Sequence, residues 1–155
     1  MKTLALALVA ALAIPALADN KPAAPNPAAA TATKEIEKAF GFVPNFVRVF
    51  PQYALGAWWE TTKTFELNPA TALDNKTKEL IGIAVAAQIP CEYCIYFHSE
   101  AARLNGASEA EIGEAVTMAA ATRSGSTVLN GMQVDKQQFK KDIERIVKGA
   151  RQAKK

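Results

Sequence analysis

The chain has 155 residues, of which 50% are hydrophobic and 21% are charged, and its formal net charge is +3. This length is enough for one domain with a sizeable core, and such a small positive excess does not indicate a nucleic-acid partner. We predict no bound cofactor. The reactive side chains that stand out are two cysteines and a single histidine.

Residues 1–18 have the pattern of an export signal. Lys2 supplies a positive charge, residues 4–14 are uninterrupted apolar residues, and Ala16 and Ala18 form the small-x-small pattern at which signal peptidase cuts. The apolar stretch is shorter than the roughly 20 residues of a membrane-spanning helix, so we expect no stable membrane insertion after cleavage. The sequence therefore predicts an exported protein, periplasmic in a bacterium, whose first mature residue is Asp19.

The rest of the chain divides into a tether and a helical domain. Residues 19–33 are mostly Ala, Pro, Asn and Thr with no large apolar side chain, a composition typical of a disordered segment. From residue 34 to residue 155 the apolar periodicity is helical, and no alternating β-branched run is bounded by turn signals. We therefore predict an all-α domain over residues 34–155.

The first predicted helices are separated by glycine and proline. A short helix over Glu35–Phe40 ends at Gly41, a second segment follows over Asn45–Phe50, and a longer helix opens at Pro51 and ends before Asn68. The longer helix carries Trp58 and Trp59, which we interpret as core packing or a subunit contact.

Four further helices are predicted from their end signals. Asp74 caps a helix that stops by Pro90, and the next helix runs from there to Asn105-Gly106. Ser108 and Glu111 form a capping box for a third helix, which Ser124-Gly125-Ser126 can interrupt and Asn130-Gly131 ends. A final helix opens at Asp135, with an apolar stripe formed by Phe139, Ile143, Ile146, Val147 and Ala150.

The two cysteines and the histidine lie together at the start of one predicted helix. Cys91, Cys94 and His98 are spaced so that a helix places all three on one face. An oxidising compartment favours a disulfide between the cysteines, but the loop that it closes is too short to contribute much stability. A dithiol beside a titratable imidazole is instead typical of redox chemistry.

The hairpin geometry predicts a carboxylate beside this imidazole. If the helices on either side of Ile89 are antiparallel, Glu79 and His98 both lie about 15 Å from the turn. Glu79 would then orient His98, and His98 would exchange a proton with a thiol. The helix N-terminus favours a thiolate at Cys91, whereas a protonated His98 favours one at Cys94, so this reasoning leaves the attacking sulfur open.

Three other interpretations of a C-x-x-C pair fit less well. Covalent haem attachment requires histidine directly after the second cysteine, where this chain has Ile95. A zinc site built from Cys91, Cys94, His98 and Glu79 would lack the second close ligand pair of structural zinc sites, and we predict no metal. A thioredoxin domain requires strands around the motif.

The spacing of Glu79, Cys91, Cys94 and His98, followed by a helix rich in small residues after Gly106, resembles the AhpD-like branch of the carboxymuconolactone decarboxylase family. The resemblance extends over about residues 36–130 and includes residues 41–45. It implies an all-α fold with the C-x-x-C at the N-terminus of a helix in an antiparallel hairpin, assembled as trimers or hexamers. It also implies hydroperoxide reduction, with Cys94 attacking, Cys91 resolving, and His98 with Glu79 as the proton relay.

The chain departs from that branch in two respects. The best-known members carry a histidine before the second cysteine, where this chain has Tyr93. They are also cytosolic and receive electrons from lipoylated partners, which an exported protein is not expected to meet, so the thiol reductant is unknown. The decarboxylases that name the family act on a soluble lactone without a cysteine pair, which argues against that activity here.

Three functional hypotheses follow from these residues. The first is a thiol-dependent peroxidase that reduces hydroperoxides through Cys91 and Cys94. The second is a periplasmic thiol-disulfide oxidoreductase with little peroxidase activity. The third is a non-enzymatic helical binding module in which the disulfide is structural.

Overall fold

The computed structural model describes residues 26–154, and every regular element in that range is a helix, as the sequence predicts. The α-helices are α1 Pro27–Phe40, α2 Gln52–Thr61, α3 Asn75–Gln88, α4 Glu92–Leu104, α5 Glu109–Gly131 and α6 Lys136–Ala153. A 3₁₀ turn covers Asn45–Val49, and a π turn covers Thr62–Glu66. The chain forms two compact units, whose described parts are residues 26–59 and 60–154.

Helix α1 begins at Pro27, so the prediction of a disordered tether is wrong for residues 27–33. Asn26 caps the helix by accepting a hydrogen bond from the backbone N–H of Ala28, and proline at the first helical position is already in a helical conformation. Ala29 and Ala32 are buried, which explains why a segment without large apolar side chains packs. Residues 1–25, with the predicted signal peptide and the start of the tether, lie outside the described residues.

In the first unit, α1 packs closely on the part of α2 that belongs to it. A Cβ at Gly56 would lie 2.8 Å from Cβ of Ala28, so only glycine allows this approach. The indole N–H of Trp59 donates to Glu35, and the Trp58 ring stacks on Phe50. Trp59 is buried, which agrees with the interpretation of the tryptophan pair as packing residues.

The second unit is built around α3, which packs against α4 and α5. Ile83 and Ala86 of α3, Ala102 of α4 and Ala119 of α5 are its buried apolar residues. Three of these four residues are alanines, and such small side chains let helices approach closely. Only residues 89–91 join α3 to α4, so the two helices form the predicted antiparallel hairpin.

Helices α5 and α6 begin where the sequence predicts. The capping box of Ser108 and Glu111 is present, and the Asp135 carboxylate accepts a hydrogen bond from the backbone N–H of Gln138. Helix α5, however, runs unbroken through Ser124-Gly125-Ser126, where an interruption was expected. One glycine costs a helix about 1 kcal/mol relative to alanine, which is too little to break a helix that continues before and after it.

Helix α6 is strongly amphipathic, yet none of its residues is buried. Its predicted apolar stripe is therefore exposed to solvent in a single chain, with Ile146 64% exposed. Among the described helices, α6 included, none is both long enough and apolar enough to cross a membrane.

Candidate functional site

A disulfide joins Cys91 and Cys94 at the start of α4. Cys91 is the N-cap residue of this helix, and its Sγ accepts a hydrogen bond from the backbone N–H of Cys94 at 3.3 Å. Both cysteines are partly exposed, so the bond is open to attack from solvent. The helix N-terminus also stabilises negative charge on sulfur, which favours a thiolate once the bond is reduced.

The predicted proximity of Glu79 and His98 is confirmed. Nδ1 of His98 lies 2.7 Å from Oε2 of Glu79, and only 2% of the Glu79 side chain is exposed. A buried carboxylate needs a hydrogen-bonding partner, and the imidazole supplies it. With Nδ1 held by Glu79, Nε2 is the ring nitrogen left for proton exchange with another group.

This hydrogen bond favours the charged form of the imidazole. The bond from Glu79 raises the pKa of His98, and the negative charges of Glu79 and Glu66 raise it further, while burial opposes the rise. His98 lies four residues after Cys94 on α4, the spacing at which helical side chains meet. At this spacing, a protonated imidazole would favour a thiolate at Cys94.

Gly82 is a residue of the site that sequence reasoning missed. A Cβ at this position would lie 2.5 to 2.7 Å from Nδ1, Cε1 and Cγ of His98. The imidazole therefore packs directly on the backbone of α3, one turn after Glu79. A single glycine inside an apolar helical pattern is a signal for such close approach, but the sequence does not say which side chain approaches.

Glu66 is a second residue that sequence reasoning missed. Its carboxylate, the carboxylate of Glu79 and a ring nitrogen of His98 all lie within 4.8 Å of one another. Burial raises the pKa of Glu66, and the charge of Glu79 raises it further. Nothing in the sequence pattern indicates this residue, because it comes from the π turn and not from the hairpin.

These three groups lie close together, and two of them, Glu79 and His98, are hydrogen-bonded. Three oxygen and nitrogen donors this close can in principle meet at one cation, but Nδ1 of His98 is engaged by Glu79 at hydrogen-bond distance. The arrangement can support proton transfer beside a disulfide. One aromatic side chain lies beside the arrangement, since the Phe97 ring is 5.1 Å from the His98 ring.

Comparisons with known proteins agree with this fold. The family model described as CMD, the carboxymuconolactone decarboxylase family, matches residues 44–137. A solved structure from Rhodospirillum rubrum, the alkylhydroperoxidase AhpD core, superimposes with a TM-score of 0.63 at 28% identity. That match covers 73% of this chain and 86% of the other.

A curated relative matches a shorter stretch. It is "Uncharacterized protein 4 in cox locus" of Paracoccus denitrificans, which is 46% identical over 55 residues. The matched segment is 36% of this chain and covers about half, 50%, of the length of that relative.

Proposed function

Because this chain belongs to the carboxymuconolactone decarboxylase family, and its fold is that of the AhpD-like branch, we propose that it is a thiol-dependent peroxidase. The observation that carries the proposal is the Cys91–Cys94 disulfide on the helix whose His98 is hydrogen-bonded to a buried Glu79. The solved relative from Rhodospirillum rubrum is itself titled an alkylhydroperoxidase core, which supports the same activity.

The proposed reaction uses each of these residues. The Cys94 thiolate attacks the outer oxygen of a hydroperoxide, the O–O bond breaks, and the alkoxide leaves with a proton from His98. Cys94 is then a sulfenic acid. The Cys91 thiol condenses with it, the disulfide forms, and water leaves with the proton that His98 relays. In sum, two thiols and one hydroperoxide give a disulfide, an alcohol and water.

The first experiment measures how fast the pre-reduced protein loses its thiols to cumene hydroperoxide, with free glutathione as the reference. We expect a rate well above that of glutathione, no disulfide in Cys94→Ser, and a rate about 100-fold lower in His98→Ala. A wild-type rate equal to that of glutathione would contradict the peroxidase.

One observation favours a second candidate, thiol-disulfide exchange. Cys91 is the N-cap residue, and its sulfur accepts a backbone hydrogen bond, which stabilises a thiolate on the first cysteine of the motif. The two functions therefore differ in the attacking sulfur. Fast reaction with glutathione disulfide that is lost in Cys91→Ser and kept in Cys94→Ser would support exchange. A very low reduction potential of the disulfide, together with indifference of both reactions to His98→Ala, would support the structural disulfide of the third hypothesis.

We also propose that the protein is exported and that it forms a homo-oligomer. The export proposal rests on residues 1–18, and N-terminal sequencing of the protein from the periplasmic fraction tests it by looking for Asp19.

The oligomer proposal rests on the exposed apolar stripe of α6 and on the assembly that is usual in the AhpD-like branch. The thiol that reduces the disulfide is expected to be a periplasmic one.

A further inference from the structure

The carboxylate of Glu66 is an ionisable group at the site that the relay of His98 and Glu79 does not use. Its oxygen lies within 4.8 Å of both a Glu79 oxygen and a His98 nitrogen. Glu79 is buried and His98 is 22% exposed, whereas Glu66 is intermediate in exposure. A second acidic side chain this close to the imidazole influences its charge.

The backbone that carries Glu66 has an unusual winding. Residues Thr62–Glu66 form a π turn, closed by a hydrogen bond of 2.9 Å from the N–H of Leu67 to the carbonyl of Thr62. A π turn holds one more residue than an α turn, so it changes the direction of the side chains that follow, and such turns often occur at functional sites. Here it ends at Glu66.

A buried lysine holds this turn in place. The Lys78 ammonium, 7% exposed, donates to the carbonyls of Phe65 and Asn68 and to the hydroxyl of Thr71, at 2.7 to 2.9 Å. These three bonds use all of its donors. Lys78 directly precedes Glu79 on α3, so one helix holds both carboxylates at the site.

The charged groups that face Glu66 are Glu79 and Lys78 of α3 and His98 of α4. The Glu79 charge repels that of Glu66, and the positive groups attract it. Two carboxylates beside one imidazole are stable when the imidazole is protonated, because its positive charge offsets their repulsion.

We propose that Glu66 is a positioning residue that acts through His98, and that its negative charge, added to that of Glu79, keeps the imidazole protonated. The imidazolium in turn stabilises the Cys94 thiolate, so Glu66 sets the pH range in which the thiol is reactive. This role deepens the proposed peroxidase and rests on it, but the charge effect on His98 exists without any turnover.

The test is an NMR titration of the oxidised protein. His98 is the only histidine, so its ring proton signal needs no assignment. In Glu66→Gln we expect the pKa of His98 to fall, because the imidazolium loses one of its two neighbouring negative charges. Glu66→Asp keeps the negative charge, so the pKa of His98 in this variant should stay close to that of the wild type. The matched control is Glu60→Gln, which removes an exposed carboxylate paired with Lys63.

Three results would overturn the proposal. An unchanged pKa of His98 in Glu66→Gln would show that the Glu66 charge does not act on the imidazole. An equal fall in Glu60→Gln would show a general surface-charge effect. A third result concerns EDTA. If EDTA changes the pKa of His98 in the wild type but not in Glu66→Gln, a cation is bound at the site instead.

A second measurement links the charge to reactivity. In the reduced protein, Glu66→Gln should shift the rise of thiol oxidation with pH to higher pH, because a less protonated His98 raises the pKa of the Cys94 thiol. If the NMR shift is present but no variant reacts with peroxide, the Glu66 inference stands and the peroxidase fails. If the wild type is a fast peroxidase and Glu66→Gln does not move its pH profile, the Glu66 inference fails alone.

Discussion

At the centre of the site, the imidazole of His98 occupies the space beside the backbone of Gly82. Gly82 lies one turn after Glu79, so the ring of His98 rests where a side chain would otherwise project. The 2.7 Å hydrogen bond between His98 and Glu79 therefore depends on the absence of a Cβ at residue 82. Catalysis by proton transfer is sensitive to such placement, since a displacement of about 1 Å can cost about 100-fold in rate.

Gly82→Ala should consequently lower activity while leaving the fold intact. The added methyl displaces His98 from Glu79, and we expect hydroperoxide-driven thiol loss to slow by about 10- to 100-fold, toward the rate of His98→Ala. The partly exposed ring can turn aside and alanine favours the helix by about 1 kcal/mol, but the buried Glu79 carboxylate loses its hydrogen-bonding partner, so we expect the free energy of unfolding to fall by about 1 to 2 kcal/mol.

The control for this substitution is Gly113→Ala. Gly113 lies inside α5, and a Cβ there would have no atom within 4 Å. It should raise the free energy of unfolding by up to about 1 kcal/mol and leave the rate unchanged. A wild-type rate in Gly82→Ala would show that the imidazole does not need its observed position.

At the level of elements, the site depends on two different kinds of structure. The hairpin of α3 and α4 brings Glu79 beside His98 by simple helical rise from a short turn. The π turn at Thr62–Glu66 brings in Glu66 through a local winding that depends on tertiary contacts with Lys78. The first kind is predictable from spacing, and the second is not.

Lys78→Met should therefore destabilise the second unit. It leaves the carbonyls of Phe65 and Asn68 and the Thr71 hydroxyl without their buried donor, which we expect to cost about 2 to 4 kcal/mol. Lys63→Met is the matched control in the π turn itself. Lys63 pairs with Glu60 near the surface, and its loss should cost less than about 0.5 kcal/mol. Urea unfolding followed by circular dichroism measures the free energy of unfolding of both variants. Equal losses of stability would contradict the role of Lys78 in holding the π turn.

At the level of the whole molecule, helix α6 has an apolar stripe that the single chain leaves uncovered. Ile146 is 64% exposed, and Phe139, Ile143 and Val147 are each more than 40% exposed. A contiguous apolar face on an amphipathic helix commonly marks a contact between proteins. We propose that a second copy of the chain covers it.

Light scattering coupled to size exclusion tests this assembly. We expect the wild type to have a mass that is a multiple of the chain mass, and Ile146→Lys to shift it toward the monomer, because a buried unpaired charge opposes association. Lys141→Ala, on the opposite side of α6, should leave the mass unchanged. A monomeric wild type would contradict the proposal.

The sequence by itself determined the helical class, most helix ends and the position of the cysteine pair at the start of a helix. Caps such as Asp74, Ser108 and Asp135 each act through a neighbour three residues away, and the spacing of Cys91, Cys94 and His98 along one helix is similarly local. Even the meeting of Glu79 and His98 was predictable, because a short turn fixes which residues of an antiparallel hairpin lie side by side.

Only the tertiary structure decided that the alanines of residues 27–33 pack, and it alone placed Gly82 and Glu66 at the site. Alanines in residues 27–33 have no periodic signal of their own, and their burial decides that they pack. The role of Gly82 depends on which side chain approaches it, and that of Glu66 on a π turn held by Lys78. These features arise from contacts distant in sequence, which spacing and propensity do not encode.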